Sequence, residues 1–150
     1  MDFESIYKKT STICSQQECC ISDIKEKLLK WGIEENTSEK VISSLIKDKF
    51  IDEKRYASNY AKEKNNFNGW GKQKIIWNLK QKTIPDEIIK SAIEAIETED
   101  YNKILLNLLR QKSQSISNHD PYKKKVALAR FAVSRGFGMS EVMEIMKDAI

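Results

Sequence analysis

Apolar residues recur at helical spacing along almost the whole chain, and this periodicity constrains the fold more than any other feature. Ile24 and Leu28, for example, lie four residues apart, which places their side chains on one face of a helix. With five glycines and two prolines in 150 residues, the chain has few of the turn residues that a many-stranded β fold needs. The sequence therefore predicts an all-α protein.

Breaks in the periodicity divide the chain into about nine helices. Gly32, Gly69 and Gly136 fall at such breaks, where a glycine can take the left-handed conformation that ends a helix. We expect four further residues to mark helix starts, Asp52 and Ser140 as caps and Pro85 and Pro121 in a first turn. The apolar faces predicted from the spacing include Leu29, Ile46, Val126 and Val133.

A short pattern recurs about every 50 residues. It reads L-L-K-W-G-I at 28–33, L-K-Q-K-T-I at 79–84 and A-V-S-R-G-F at 132–137. Each copy is the end of a helix, a tight turn and a large apolar residue. This period predicts three tandem three-helix repeats, at residues 1–51, 52–97 and 98–150, here named the first, second (central) and third units. We expect an elongated, curved, monomeric array whose concave face binds a partner.

The net charge of +4 is unevenly distributed. Residues 54–82 hold eight basic side chains against Glu63 alone, a local excess of +7. A second basic stretch covers residues 123–135, and aromatic residues are interleaved with both. Such stretches attract nucleic acid or an acidic protein surface. The alternative is a solvated helix face without a partner.

The central unit carries the most specific motif. It begins with D-E-K-R-Y-A-S-N-Y-A at 52–61 and continues with G-W-G-K-Q-K-I-I-W-N-L at 69–79. This combination resembles the central repeat of the RecX family. The residues that carry the resemblance are the acidic start, the aromatic pair, the glycine-rich turn and the apolar positions of the next helix: Asp52, Tyr56, Tyr60, Gly69, Trp70, Gly71, Ile75 and Leu79.

Physical reasoning assigns structural roles to most of this motif. Asp52 suits a helix N-cap, and Tyr56 and Tyr60 lie one turn apart on one face, where half-buried packing is favoured over base stacking. Gly69 and Gly71 are expected to permit positive φ around Trp70. Trp70 itself either covers the local core, which we favour, or anchors an interface.

The resemblance implies a regulator that binds the RecA recombinase filament on DNA, without a cofactor of its own. Such a protein limits filament extension, strand exchange and the coupled ATP hydrolysis. The residues expected to meet RecA or single- or double-stranded DNA are basic: Arg55, Lys62, Lys64, Lys72, Lys74, Lys80, Lys82, Lys123, Lys124, Lys125, Arg130 and Arg135. The alternatives are a DNA-binding helical-repeat protein that needs no RecA, and a helical adaptor for another protein.

Neither catalysis nor metal binding is expected. The chain has no phosphate-binding glycine loop, and its one histidine, His119, lies about a hundred residues from the nearest of the three cysteines. We expect Cys14, Cys19 and Cys20 to be reduced, half-buried and near helix ends. The chain has no apolar run of transmembrane length, and Met1–Thr10 has no secretory h-region, so the sequence predicts a cytoplasmic protein.

Overall fold

The structure is a computed structural model, and it describes residues 1–117 and 120–149. Within these ranges the chain forms nine α-helices and no strand, which confirms the all-α prediction. The helices are α1 (Phe3–Gln16), α2 (Ile21–Lys30), α3 (Glu35–Lys47), α4 (Glu53–Asn66), α5 (Lys72–Gln81), α6 (Asp86–Glu94), α7 (Thr98–Ser115), α8 (Pro121–Ser134) and α9 (Met139–Ala149). His119 lies outside the described residues.

The buried residues form three clusters along the chain. Ile6, Leu28 and Leu45 belong to the first cluster, which joins α1, α2 and α3. The second is built around Ile75 and Leu79 with residues of α4 and α6, and the third around residues of α7, α8 and α9. Apart from Cys20, the buried residues of each cluster lie within one predicted unit, although the division into units stays a prediction.

The same turn follows the second helix of each cluster. Ile33, Ile84 and Phe137 donate their N–H groups to the carbonyl five residues earlier, at 3.0, 3.2 and 3.2 Å. The residue before each of them has positive φ, at +72° for Gly32 and +101° for Gly136. In the central unit Thr83 takes that position with a φ of 58°, which is unusual for a β-branched residue. The recurring six-residue pattern therefore encodes one helix-ending motif.

Side-chain ion pairs join the first and second clusters. The Arg55 Nε donates to both carboxylate oxygens of Glu18 at 2.8 Å, and the Lys82 Nζ lies 2.8 Å from an Asp23 oxygen. Cys20, at the start of α2, is fully buried and packs into the second cluster rather than the first. The contact between the first and second units, here named the first junction, thus combines charge-assisted hydrogen bonds with apolar packing.

The second and third clusters meet through the backbone. The Gly71 N–H donates to the Arg135 carbonyl at 2.7 Å, and the Gln73 N–H donates to the Gly136 carbonyl at 3.0 Å. A Cβ at Gly71 would lie 2.3 Å from the Gly136 carbonyl carbon. The turn before α5 and the turn before α9 are therefore in direct contact, and glycine is needed at both.

Three details of the helix ends differ from the predictions. Pro85 is the residue before α6, not part of its first turn, because its ψ of 144° is extended. Ser140 is inside α9, and the Glu141 carboxylate accepts the Gly138 N–H at 3.2 Å in place of a serine cap. Asp52 caps α4 and Pro121 opens α8, as predicted.

Several apolar residues face outward although their spacing predicts burial. Leu29 is 77% exposed and Ile46 is 44% exposed, while Val133 is 39% exposed and Val126 is partly buried. In α8 the buried face is Leu128, Ala129 and Ala132 instead, so its inner face is displaced from the predicted one. The prediction was wrong here because several apolar faces share one helix, and periodicity alone does not decide between them.

The cysteines are more deeply buried than expected. Cys14, Cys19 and Cys20 are free thiols that are 6%, 2% and 0% exposed, so the half-buried placement was wrong. Small apolar thiols are readily accommodated in a core. No helix in the described part of the chain is long and apolar enough to span a membrane.

Candidate functional site

The first element of the site is helix α4, whose N-terminus is capped by Asp52. One carboxylate oxygen of Asp52 accepts the N–H groups of Lys54 and Arg55, both at 3.1 Å. Tyr56 and Tyr60 then stack one turn apart, with ring centroids at 5.8 Å. Tyr56 is buried and Tyr60 half-buried, so both pack onto the central cluster. Burial of Tyr56 also raises the pKa of its hydroxyl.

The turn between α4 and α5 fixes the position of Trp70. Gly69 has a φ of +67°, as predicted, but Gly71 has an ordinary φ of −80°, so the prediction of positive φ at Gly71 was wrong. The buried Asn65 amide donates to the Trp70 carbonyl at 2.9 Å, and the Trp70 N–H donates to the Lys64 carbonyl at 3.0 Å. Trp70 is therefore held at both backbone groups and packs partly buried against the central core.

Two lysines lie over the Trp70 ring. The Lys64 Nζ is 5.1 Å from its centroid and the Lys74 Nζ is 4.5 Å from it. Lys64 also lies 5.4 Å from the Tyr60 centroid, and Tyr60 meets Trp70 edge to face at 6.4 Å. The three lysine-to-ring distances are within the range of cation–π attraction. The Trp70 ring thus lies close to two positive charges.

Lys72 and Arg135 add two more cations at the turn between α4 and α5, each over a ring other than Trp70. The Lys72 Nζ lies 4.6 Å from the Tyr101 centroid, while its backbone N–H donates to the Tyr101 hydroxyl at 2.9 Å. The Arg135 guanidinium lies 5.2 Å from the Phe131 ring and donates to the Asn68 carbonyl at 3.3 Å. The Gly71–Gly136 contact brings α8 to the start of α5, so residues from both predicted basic stretches meet here.

We name this region the basic–aromatic surface, made of Lys64, Trp70, Lys72, Lys74 and Arg135. Phe67 lies on the same turn and is 85% exposed. The contact that assembles the surface was missed in the sequence, because Gly71 and Gly136 are 65 positions apart. The only signal available was that both glycines precede a predicted helix.

Two of the predicted partner-binding residues have partners inside the chain. Arg55 is bound to Glu18, which raises the pKa of Arg55, and it also donates to the Phe50 carbonyl at 3.4 Å. Lys82 is bound to Asp23, which raises the pKa of Lys82. Both residues join the first and second units, and their role toward an outside partner stays a prediction.

The remaining predicted residues are spread over the surface. Five are exposed and Lys124 is half-buried; the exposed ones are Lys62, Lys80, Lys123, Lys125 and Arg130. None of these six takes part in the ring contacts around Trp70. Ile75 and Leu79 are fully buried, so they support α5 rather than contribute to a surface. Within the described ranges, no three His, Cys, Asp or Glu side chains gather as metal ligands.

The family model and the curated relatives that match this chain all carry the same family name. Residues 52–93 match the family model described as "RecX, second three-helix domain". A "Regulatory protein RecX" of Clostridium acetobutylicum is 32% identical over 130 residues, which cover 84% of this chain and 60% of that protein. One from Clostridium botulinum is 30% identical over 129 residues, 85% of this chain and 60% of the relative. The chain thus spans about 60% of the length of these relatives.

Solved structures show the same fold. The crystal structure of RecX from Lactobacillus salivarius has a TM-score of 0.89 at 21% identity and covers 98% of this chain and 96% of its own. A second one, "Crystal structure of regulatory protein RecX", has a TM-score of 0.87 at 24% identity. The match covers 97% of this chain and 71% of that one. These two structures show the fold of the chain. The family model and the sequence matches identify the chain as a RecX family protein.

Proposed function

We propose that this chain binds the RecA–DNA filament and limits its extension, and thereby inhibits strand exchange and the coupled ATP hydrolysis. Membership of the RecX family supports a regulatory role, since its relatives are named regulatory proteins. We further propose that it acts as a cytoplasmic monomer and needs no cofactor, because the ATP in this reaction is the substrate of RecA.

The observation that carries the proposal is the basic–aromatic surface. Its lysines lie over rings at 4.5–5.1 Å, so their positions are restricted before any partner arrives. A charge that is already positioned loses less conformational freedom on binding. An acidic protein surface or a row of phosphates would therefore meet lysines whose positions are already restricted.

The exposed Phe67 adds an apolar contact to the same surface. It lies between Lys64 and Trp70 in sequence, and 85% of it faces solvent. Aromatic residues are enriched at the centres of protein interfaces and depleted among ordinary exposed positions. A partner that covers Phe67 would gain apolar contact area.

DNA binding without RecA is the second candidate. The same surface favours it, because cations contact phosphates while aromatic rings can stack on exposed bases. The two candidates differ in their dependence on salt. Affinity that comes from phosphate contacts falls steeply as salt rises, whereas an interface with an apolar centre such as Phe67 falls less.

The deciding experiment measures ATP hydrolysis by the cognate RecA on single-stranded DNA, with and without the purified chain. We expect substoichiometric amounts to slow hydrolysis. An excess of free DNA serves as the control, since it would relieve an effect caused by simple competition for DNA. If RecA is unaffected at roughly tenfold molar excess, which suffices for micromolar affinity, the proposal is wrong.

A further inference from the structure

Two of the three cysteines lie against each other in the first unit. Cys14 is in the last turn of α1, and Cys19 is in the short segment that leads into α2. Both side chains are buried in the first cluster, and a hydrogen bond joins their thiols. Two thiols that are already in contact can form a disulfide with little movement of the backbone.

The two thiols hold their protons with different strength. The hydrogen bond from Cys14 lowers the pKa of Cys19, and the positive charge of Lys27 lowers it as well. The same hydrogen bond raises the pKa of Cys14, and burial raises it further. Because the thiolate is the reactive form of a cysteine, Cys19 is the nucleophile of the pair and Cys14 keeps its proton.

Cys19 also lines an open cavity where the first and second units meet. The cavity has a volume of about 360 Å³, and its other lining residues are polar or charged: Gln17, Asp23, Glu26, Lys27, Lys30 and Lys82. A polar cavity of this size admits water and molecules of similar size. Cys19 is only 2% exposed, so a small oxidant has access that a bulky reagent lacks.

The third cysteine has a different environment. Cys20 is fully buried and belongs to the second cluster, and its sulfur lies 3.2 Å from the Ser22 hydroxyl oxygen. Burial raises the pKa of its thiol. A disulfide between the adjacent residues Cys19 and Cys20 would be strained. Cys20 is therefore an internal control for the other two cysteines.

We propose that Cys14 and Cys19 form an oxidation site that a hydroperoxide converts to a disulfide. The Cys19 sulfur attacks one oxygen of hydrogen peroxide, the O–O bond breaks, and Cys19 becomes a sulfenic acid as one water leaves. The Cys14 sulfur then attacks the Cys19 sulfur, and the S–O bond breaks as a second water leaves with the Cys14 proton. Two thiols are thus oxidised to one disulfide, and the peroxide is reduced to water.

The disulfide would close the segment that carries Glu18. This residue lies between the two cysteines, and its carboxylate accepts the hydrogen bonds of the Arg55 Nε at the first junction. Oxidation would therefore restrict the segment through which the first unit contacts the second. Neither step involves RecA, so the oxidation site can be tested separately from the proposed function.

The experiment treats the folded full chain with hydrogen peroxide, removes the excess with catalase, and then unfolds the chain and alkylates its remaining thiols. Reduction and a second alkylating reagent mark the cysteines that had been oxidised, and mass spectrometry locates each label. Chain unfolded in urea before the peroxide is added is the matched control, because unfolding removes both the cavity and the contact between the thiols.

We expect the folded chain to lose two of its three free thiols, those of Cys14 and Cys19, and to regain them with dithiothreitol. Cys20 should keep its thiol in the folded chain and be oxidised in the unfolded one. Three results would overturn the inference: three intact thiols after peroxide treatment, oxidation of Cys20 in the folded chain, or disulfide-linked dimers in place of an internal bridge.

Two variants separate the two steps of the reaction. Cys14→Ala lacks the second sulfur, so oxidation of Cys19 should stop at the sulfenic acid, which dimedone traps as an adduct. Cys19→Ala should form no adduct, and an adduct on Cys14 in that variant would contradict the assigned roles. Circular dichroism checks the helical content of both, and the labelling of the wild-type chain decides the proposal if either variant fails to fold.

Discussion

Gly71 and Gly136 pack backbone against backbone, although they belong to different units. A Cβ added at Gly136 would lie 2.4 Å from the Lys74 Cβ, just as one at Gly71 would collide with the Gly136 carbonyl. Two interunit hydrogen bonds, from the N–H groups of Gly71 and Gln73, depend on this close approach. The contact also brings Arg135 next to the lysines around Trp70.

Gly71→Ala should therefore destabilise the protein by about 1–3 kcal/mol, the usual cost of forcing an extra methyl group into a packed contact. Urea unfolding followed by circular dichroism measures the change. Gly138→Ala is the matched control, because its Cβ would meet only the flexible ends of two side chains, Glu141 at 2.9 Å and Gln73 at 3.5 Å. Equal stability losses in the two variants would show that the interunit contact is not tight.

Tyr101→Phe should cost about 1–3 kcal/mol, although it removes a single oxygen atom. The Tyr101 hydroxyl accepts the Lys72 N–H at the start of α5, and Tyr101 is only 1% exposed, so the part-buried Lys72 N–H would be left facing a ring edge without an acceptor. Tyr122→Phe, at a residue 75% exposed, should change stability by less than about 0.5 kcal/mol. If both variants unfold at the wild-type urea concentration, this hydrogen bond does not stabilise the fold.

Reversing the charges of Lys64 and Lys74 to Glu should sharply weaken inhibition of RecA-dependent ATP hydrolysis. Like charges facing an acidic surface cost several kcal/mol. The fold should survive, since both lysines are only half-buried and each lost cation–π contact is worth about 0.5–2 kcal/mol. Circular dichroism verifies the helical content before the hydrolysis rates are compared.

Lys123→Glu combined with Lys125→Glu is the control for that variant. Both lysines are exposed on α8, and they are absent from the ring contacts around Trp70. We expect this control to inhibit RecA better than the Lys64 and Lys74 variant does. Similar losses in both would mean that net positive charge, and not the basic–aromatic surface, matters.

The Asp23–Lys82 pair should make the first junction sensitive to acid. Burial tends to raise the pKa of Asp23, but hydrogen bonds from Lys82 and Cys20 outweigh it and lower the pKa below 3.8. A carboxyl group with a lowered pKa stabilises the folded state above its unfolded pKa, and the contribution is lost as pH falls through the folded value. The hydrogen bond to Asp23 raises the pKa of Lys82, so Lys82 stays protonated across this acid range.

Comparing the unfolding free energies of the wild-type chain and Asp23→Asn across pH tests this. The wild type should be more stable at about pH 7, and the difference should shrink as pH falls below about 4. Subtracting the variant removes the effect of all other carboxyl groups. A difference that is the same at about pH 3 as at neutrality would contradict the assignment.

The helices could be predicted from the sequence because their spacing, caps and breaks are local features. Asp52 and Gly32 act within a few residues of their own positions, and both predictions are confirmed. The repeat could be recognised for the same reason, since its six-residue pattern forms one local turn. The RecX resemblance in the central unit was also confirmed.

Contacts between units could not be predicted, because their partners lie far apart in sequence. Arg55 looked like a surface cation, but Glu18, 37 positions away, binds it. Leu29 looked buried by its spacing but belongs to an outward face. Which side of a helix meets a neighbouring unit depends on how the units pack, and periodicity carries no information about that.

The contact between the first and second units and the contact between the second and third units tolerate different substitutions. At the first, opposite side-chain charges such as those of Arg55 and Glu18 hold the units together, so a replacement unit has to bring the matching charge. At the second, main-chain atoms make the contact, and no side-chain pair can replace it. A unit transplanted from a relative could thus be matched to the first junction by choosing compatible charges, whereas the second accepts only a unit that brings its own glycine.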